Sequence, residues 1–256
     1  MQTKFTELTD SQWENIEKFF DRQRKRKHSL RTMLNAILWI TRVGAQWRNL
    51  ESKYPPWQSV YYYFRKWRKS GVLGEVLAYL VEQERESQGR EPEPSTVAVD
   101  SQSVKKVAFI SIDTGIDGNK KVNGRKRSLA VDVLGLPVGI HVGPANAYDG
   151  TEGIELLWQI EKASSRVELL TTDHAYQGEF VDLATGLYGW KVEISQKPES
   201  KQGFIPQNKR WQVERAFAWL NYFRRLVRDF EKLPQSAVMF IQLAFISIIL
   251  ARFDRA

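Results

Sequence analysis

The chain has 256 residues, with 38 Lys and Arg against 30 Asp and Glu, a formal net charge of +8 and a pI near 9.5. It has no cysteine and three histidines, His28, His141 and His174, which excludes a disulfide frame, Cys-ligated zinc, an iron–sulfur cluster and a thiol nucleophile, and leaves hard-metal chemistry on carboxylates open. The 42% hydrophobic fraction suffices for a buried core, and the basic balance points toward polyanions.

Met1 to Asp10 is polar, so no secretory signal is expected and the cytoplasm is the default compartment. Thr9 is an N-cap candidate before an amphipathic run carrying Trp13, Ile16, Phe19 and Phe20. A basic run, Arg22 to His28, precedes a second helix with Met33, Ile37, Leu38 and Ile40, ending at Gly44. Pro55-Pro56 breaks the chain, and Trp57 to Arg68 reads as a third helix that mixes aromatic residues with Arg65, Lys66, Arg68 and Lys69. Trp39 and Trp47 read as core residues. Residues 1–85 are expected to form a small all-helical domain. EQERESQGREPEPS, at 82–95, has no aliphatic residue and reads as solvated, with 86–95 as the linker to a second domain over 96–256.

After the linker the period changes. Thr96–Asp100 reads as a β-branched strand, and Ser128–Leu134 with Pro137–Val142 as a hairpin turning at Gly135-Leu136. Gly150–Ala163 reads as a helix, Val167–Thr172 as a strand, Tyr176–Thr185 as a helix and Trp190–Ile194 as a fifth strand. Two long helices close the chain, at about 208–230 and 235–252. Ala237 to Ala251 is apolar except for Gln242 and Ser247. Its 15 residues fall short of the roughly 20 that a membrane span needs, so it reads as a buried core helix and no membrane is expected. The order of elements gives an α/β fold, a mixed five-stranded sheet flanked by helices.

Asp100 and Asp173 each end a strand, and strand ends can converge on one edge of a sheet. Glu214 lies inside an amphipathic helix, on an arc shared with Arg210, Asn221 and Arg225, while Val213, Phe217 and Leu220 on the adjoining arc would dock that helix on the sheet. Three hard oxygen donors suit Mg²⁺ or Mn²⁺, and two such ions can stabilise both oxygens of an in-line phosphoryl displacement. Each residue alone has a plainer explanation as a turn former or a solvated helix pair. Asp132, beside the hairpin turn, and Asp149, before a helix, are better read as turn and cap residues than as ligands.

The strings VDSQSV at 99–104, GRKRSLAVDVLGLP at 124–137, TTDHAYQGEF at 171–180 and RWQVERAFAWLNYFRRLVRDFE at 210–231 resemble bacterial insertion-sequence transposases of the DDE type. LTDSQWENIEKFF, RTMLNAILWITRVGAQWRNL and PPWQSVYYYFRKW resemble the helical domain at the front of the same group, so the resemblance covers almost the whole chain. It implies an RNase H-like catalytic core and a DNA strand-transfer enzyme using two Mg²⁺ or Mn²⁺ ions. The implied triad is Asp100, Asp173 and Glu214, spaced by 73 and 41 residues. The group's Tyr-Arg-Glu-Lys signature matches at Arg210 and Glu214 but has Gln207 for the tyrosine and Asn221 for the lysine, and Ala175 replaces the common glycine after the second aspartate.

The resemblance further implies that Arg210 and Arg225 grip phosphate, that Arg224 or Arg225 replaces the missing lysine, and that the basic loop of Lys120, Lys121, Arg125, Lys126 and Arg127 touches the DNA backbone. His174 reads equally as a neighbour of the site or a surface histidine. Residues 1–94 carry 17 basic and 12 acidic side chains, the basic ones clustered at 22–27 and 65–69, so the helical domain is expected to recognise terminal inverted repeats. The expected partners are double-stranded transposon ends and target DNA, with a homodimer in the DNA complex. A catalytically inactive transposase-derived DNA-binding protein and an RNase H-like DNA nuclease are the alternatives.

Overall fold

The structure, a computed structural model, describes residues 5–21, 25–195 and 211–253. Helix α1 (Asp10–Ile16) starts where Thr9 accepts from the Gln12 backbone and Gln12 returns the bond to Thr9, a reciprocal cap worth about 1 kcal/mol. Helix α2 (Leu30–Val43) starts at Ser29 and stops at Gly44, whose φ of 73° only glycine adopts cheaply. Helix α3 (Trp57–Ser70) follows the proline pair. A further helix, α4 (Val72–Ser87), was not expected from the sequence, although Val72, Val76 and Leu80 have helical spacing.

The sheet has six strands, β1 (Thr96–Lys105), β2 (Gly115–Asp117), β3 (Val122–Val131), β4 (Pro137–Pro144), β5 (Leu169–Thr172) and β6 (Lys191–Ile194). β1 pairs antiparallel with β3 and parallel with β5, and β5 pairs parallel with β6. β4 and the short β2 share the other edge of β3. The mixed α/β sheet flanked by helices is as the sequence suggested, with β2 as an added sixth strand.

Side chains alternate across β1. Val97 and Val99 enter a core covered by α5 (Asp149–Ala163) and α6 (Glu179–Gly186). Ala98 enters the larger core on the opposite face, beneath α7 (Trp211–Leu220) and α8 (Pro234–Phe253). By length and composition α8 could cross a membrane, but Phe240, Leu243, Ala244, Phe245 and Ile249 are buried inside the protein, as an all-round apolar helix requires. The N-terminal helices pack on α8 and share that core; Trp47, for instance, meets Phe64 at 5.0 Å and Phe240 at 6.2 Å.

Three expectations are corrected. The segment read as solvated is helical to Ser87 and tied down beyond it. Arg85 forms a buried ion pair with Asp132, Glu84 pairs with Arg252 at 2.8 Å, and Ser164 donates to the Pro94 carbonyl. The helix expected over 208–230 stops at Leu220. Phe223 and Leu226 enter the core there, and Asp229 exchanges backbone bonds with Lys105 and Val107 beside β1, so tertiary pairing overrides the helical period. The helix expected from Tyr176 begins at Glu179, because Gly178 has φ 72° and ψ −129°.

Two left-handed helix ends make a stability comparison. A Cβ at Gly71 meets nothing within 4 Å, whereas one at Gly44 meets Arg224 Cβ at 3.0 Å and its backbone carbon at 3.1 Å. Gly71→Ala should cost about 1 kcal/mol of conformational strain, and Gly44→Ala measurably more, in urea denaturation. Equal losses would contradict this packing.

Candidate active site

The parallel register aligns Ala98 with Thr171. The pairing ends there; continued two residues past it, the register leads to Asp100 within β1 and to Asp173, just after β5. Asp100 accepts from the Ser101 backbone at 2.7 Å. Asp173, still extended, caps a 3-10 turn, His174–Tyr176, by accepting from the Ala175 backbone at 2.9 Å. Both side chains are half-buried.

That turn sends Tyr176 into the core. Its ring is buried, and burial together with the charges of Asp100, Asp149 and Asp173 holds its phenol well above the usual range, so it is neutral. Asp149 therefore belongs to the same sheet end. Its carboxylate accepts from Ser101 Oγ at 2.7 Å and pairs with Lys126 Nζ at 2.7 Å. The sequence reading treated Asp149 as a cap only. The β1–β3 register, which places Ser101 opposite Ser128 and Ser103 opposite Lys126, is what brings the lysine to it, and no local signal encodes that.

Glu214 is exposed on α7, whose Val213, Phe217 and Leu220 dock on the sheet as expected. Among the described residues, no three acidic or histidine side chains converge tightly enough to ligate one ion. The strand order thus leads both aspartates to one end of the sheet, while Glu214 is exposed on α7, and among the described residues no ligand set is closed. The donors are carboxylates, the chemistry that suits a hard divalent cation. His174 is exposed and bonded to Gln177 at 2.6 Å. Arg210 and Gln207 lie outside the described residues.

Four cations expected at a DNA surface point inward instead. Residues 125–127 lie within β3 rather than in a loop. Arg125 is 0% exposed, paired with Asp229 at 2.9 Å and donating to the carbonyls of Glu231, Ile112, Lys232 and Asp113. Lys126, on the opposite face, serves Asp149 and the Ala147 carbonyl. Arg127 donates to the Leu226 carbonyl, and burial pushes its guanidinium down to about 10 against the opposing pull of Asp229 and Glu231. Arg225 pairs with Glu231 at 2.7 Å, donates to the Ala45 carbonyl and stacks on Phe230 and Phe240. Arg65, Lys66, Lys69, Lys120, Lys121 and Arg224 are exposed, and Arg68 is half-buried with a bond to Ser236.

The two sets differ in what a truncation does. Arg125→Ala and Arg225→Ala strand a buried acid and should each cost about 3–5 kcal/mol in chemical denaturation. Arg224→Ala should stay within about 0.5 kcal/mol of the parent, and a loss comparable to that of Arg225→Ala would contradict the assignment.

Two family models match the chain. Residues 91–250 match one described as "Transposase DDE domain", and residues 8–77 match one described as "Putative transposase of IS4/5 family (DUF4096)". A stretch of 77 residues is 38% identical to the uncharacterized protein y4sN of Sinorhizobium fredii (strain NBRC 101917 / NGR234), covering 28% of this chain and 62% of that protein's length. The first match spans more than half of the chain and contains both aspartates, Glu214 and all six strands. The chain belongs to the DDE transposase family.

Proposed function

We propose that the protein is a DNA transposase that cleaves and joins phosphodiester bonds at insertion-sequence ends, with divalent cations held by Asp100, Asp173 and Glu214. The observation that carries this reading is the parallel pairing of β1 with β5, which ends two residues before Asp100 and Asp173, within the segment that matches the DDE transposase domain. A pair of Mg²⁺ or Mn²⁺ ions bound there supplies activation of an oxygen nucleophile and stabilisation of the leaving 3′-oxygen. In this reading the paired strands supply two carboxylates and α7, docked through Val213 and Phe217, supplies Glu214 as the third. No covalent protein–DNA bond is needed.

The helical region fits the role of gripping terminal inverted repeats. Lys25, Lys27, His28, Tyr62 and Lys66 border a cleft of about 470 Å³, and Arg65 and Lys69 are exposed on the same α3. Lys120, Lys121 and Arg224 are further candidates for phosphate contacts. Two ends need two active sites, so a homodimer on DNA completes the reading.

A supercoiled plasmid carrying the element's ends provides the test. Asp100→Ala, Asp173→Ala and Glu214→Ala should each abolish Mg²⁺-dependent cleavage while leaving end binding intact, and wild-type cleavage by any one of them would refute its role. Lys66→Ala should weaken end binding across sequences and reduce the slope of log affinity against log salt by about one. An unchanged slope would remove that lysine from the interface.

A further inference from the structure

Helix α3 presents two opposite faces. Val60, Phe64 and Trp67 are buried, with Phe64 against Phe240 at 5.0 Å and Trp67 against Phe20 at 4.9 Å, so the shared core holds the helix from behind. Gln58, Tyr62, Arg65, Lys66 and Lys69 are exposed, and at helical periodicity they fall within an arc of about 100° opposite those three. The helix carries four cations and no acid. Arg68 turns aside to Ser236, while Arg65, Lys66 and Lys69 have no acidic partner among the described residues, unlike Arg125 and Arg225. Lys25 and Lys27 line the same cleft of about 470 Å³ as Tyr62 and Lys66. The exposed stripe has no aliphatic side chain, which speaks against a lipid surface, and its charge is complementary to a polyanion.

We infer that α3 is the recognition helix of the protein: its exposed face enters the major groove of the element's terminal DNA, where Gln58 and Arg65 read base edges and Lys66, Lys25 and Lys27 hold the flanking phosphates. The inference rests on the end-binding reading above and says which side chains carry its specificity. A major groove about 12 Å wide admits one helix. Gln58, Tyr62, Arg65 and Lys69 run down the middle of the arc, whereas Lys66 lies at its edge, on the side of the cleft. A guanidinium fits guanine O6 and N7 with two bonds, and a glutamine amide fits adenine N6 and N7. Gln58 and Arg65 are about 10 Å apart along the helix axis, the rise of about three base pairs, so one groove segment takes both. The core that holds α3 also takes Ala98 of β1, two residues before Asp100, so the reading helix and that strand share one frame.

The test is binding of the full chain to a fluorescent duplex of the element's end and to a scrambled duplex of the same composition, read by anisotropy. Gln58→Ala should reduce the preference for the end duplex by about five-fold or more, with affinity for the scrambled duplex within about two-fold of wild type. Arg65→Lys, which keeps the charge and loses the planar fork, should do the same. Replacing the guanines of the end duplex with 7-deazaguanine, which removes N7, should weaken the wild type several-fold and Arg65→Lys little. Lys25→Ala combined with Lys27→Ala should weaken both duplexes alike. An undiminished preference in either Gln58→Ala or Arg65→Lys, beside a wild type that prefers the end duplex, would overturn this inference alone. So would an equal loss on both duplexes, which would place that side chain on phosphate. Equal binding of the two duplexes by the wild type would overturn the end-binding reading and this inference with it.

Discussion

The parallel pairing of β1 with β5 is the constraint on which the site depends. These strands are distant in sequence, and their register decides where the side chains point. A slip of one residue would turn Asp173 away from Asp100, because successive side chains alternate between faces. The register is held by burial on both sides. Val97, Val99 and Leu170 fill the core under α5 and α6, and Ala98 faces the core under α7 and α8. A polar site is thus placed by apolar packing two residues back along each strand. The same pairing sets the origin of the turn after Asp173, and hence the position of Tyr176.

A second consequence of the topology concerns charge. The net +8 suggested a broadly basic surface, yet the strand arginines and Arg225 are spent inside the protein. Arg125 is held by Asp229 and a ring of carbonyls, and Arg225 by Glu231. These groups brace the segment after α7 against β3 and against the end of α2. Since α7 carries Glu214, the internal cations help to fix where that helix ends. The buried pair of Arg85 and Asp132 does similar service between α4 and the β3–β4 turn. The N-terminal helices and the sheet are therefore bound together by a shared core around α8 and by ion pairs.

What was legible in the sequence was what local chemistry encodes. The Thr9 cap, the Gly44 stop, the proline pair before α3 and the hairpin around Gly135 all follow from residues a few positions apart. The docking face of α7 was visible in its 3.6-residue period, but its end was not, because that depends on Asp229 meeting β1 far upstream. The run at 125–127 was read as a basic loop touching DNA, since the acid and carbonyl that hold Arg125 and Arg127 lie about a hundred residues later. Asp100 and Asp173 were each unremarkable as strand-end acids, and resemblance rather than spacing singled them out. Asp149 was marked only as a helix cap, and Tyr176 carried no mark beyond its place at the start of an expected helix. The place of Asp149, bonded to Ser101 and Lys126, is a product of the β1–β3 register, and that of Tyr176 of the turn after β5.

The central claim is that Asp100 and Asp173, joined by Glu214, hold divalent cations. Anomalous diffraction from crystals of the protein with Mn²⁺ and a DNA end tests it most directly. The account predicts an Mn²⁺ peak in contact with both aspartates and with Glu214. A Mn²⁺ peak elsewhere, with the two aspartates making no contact to it at saturating concentration, would contradict it.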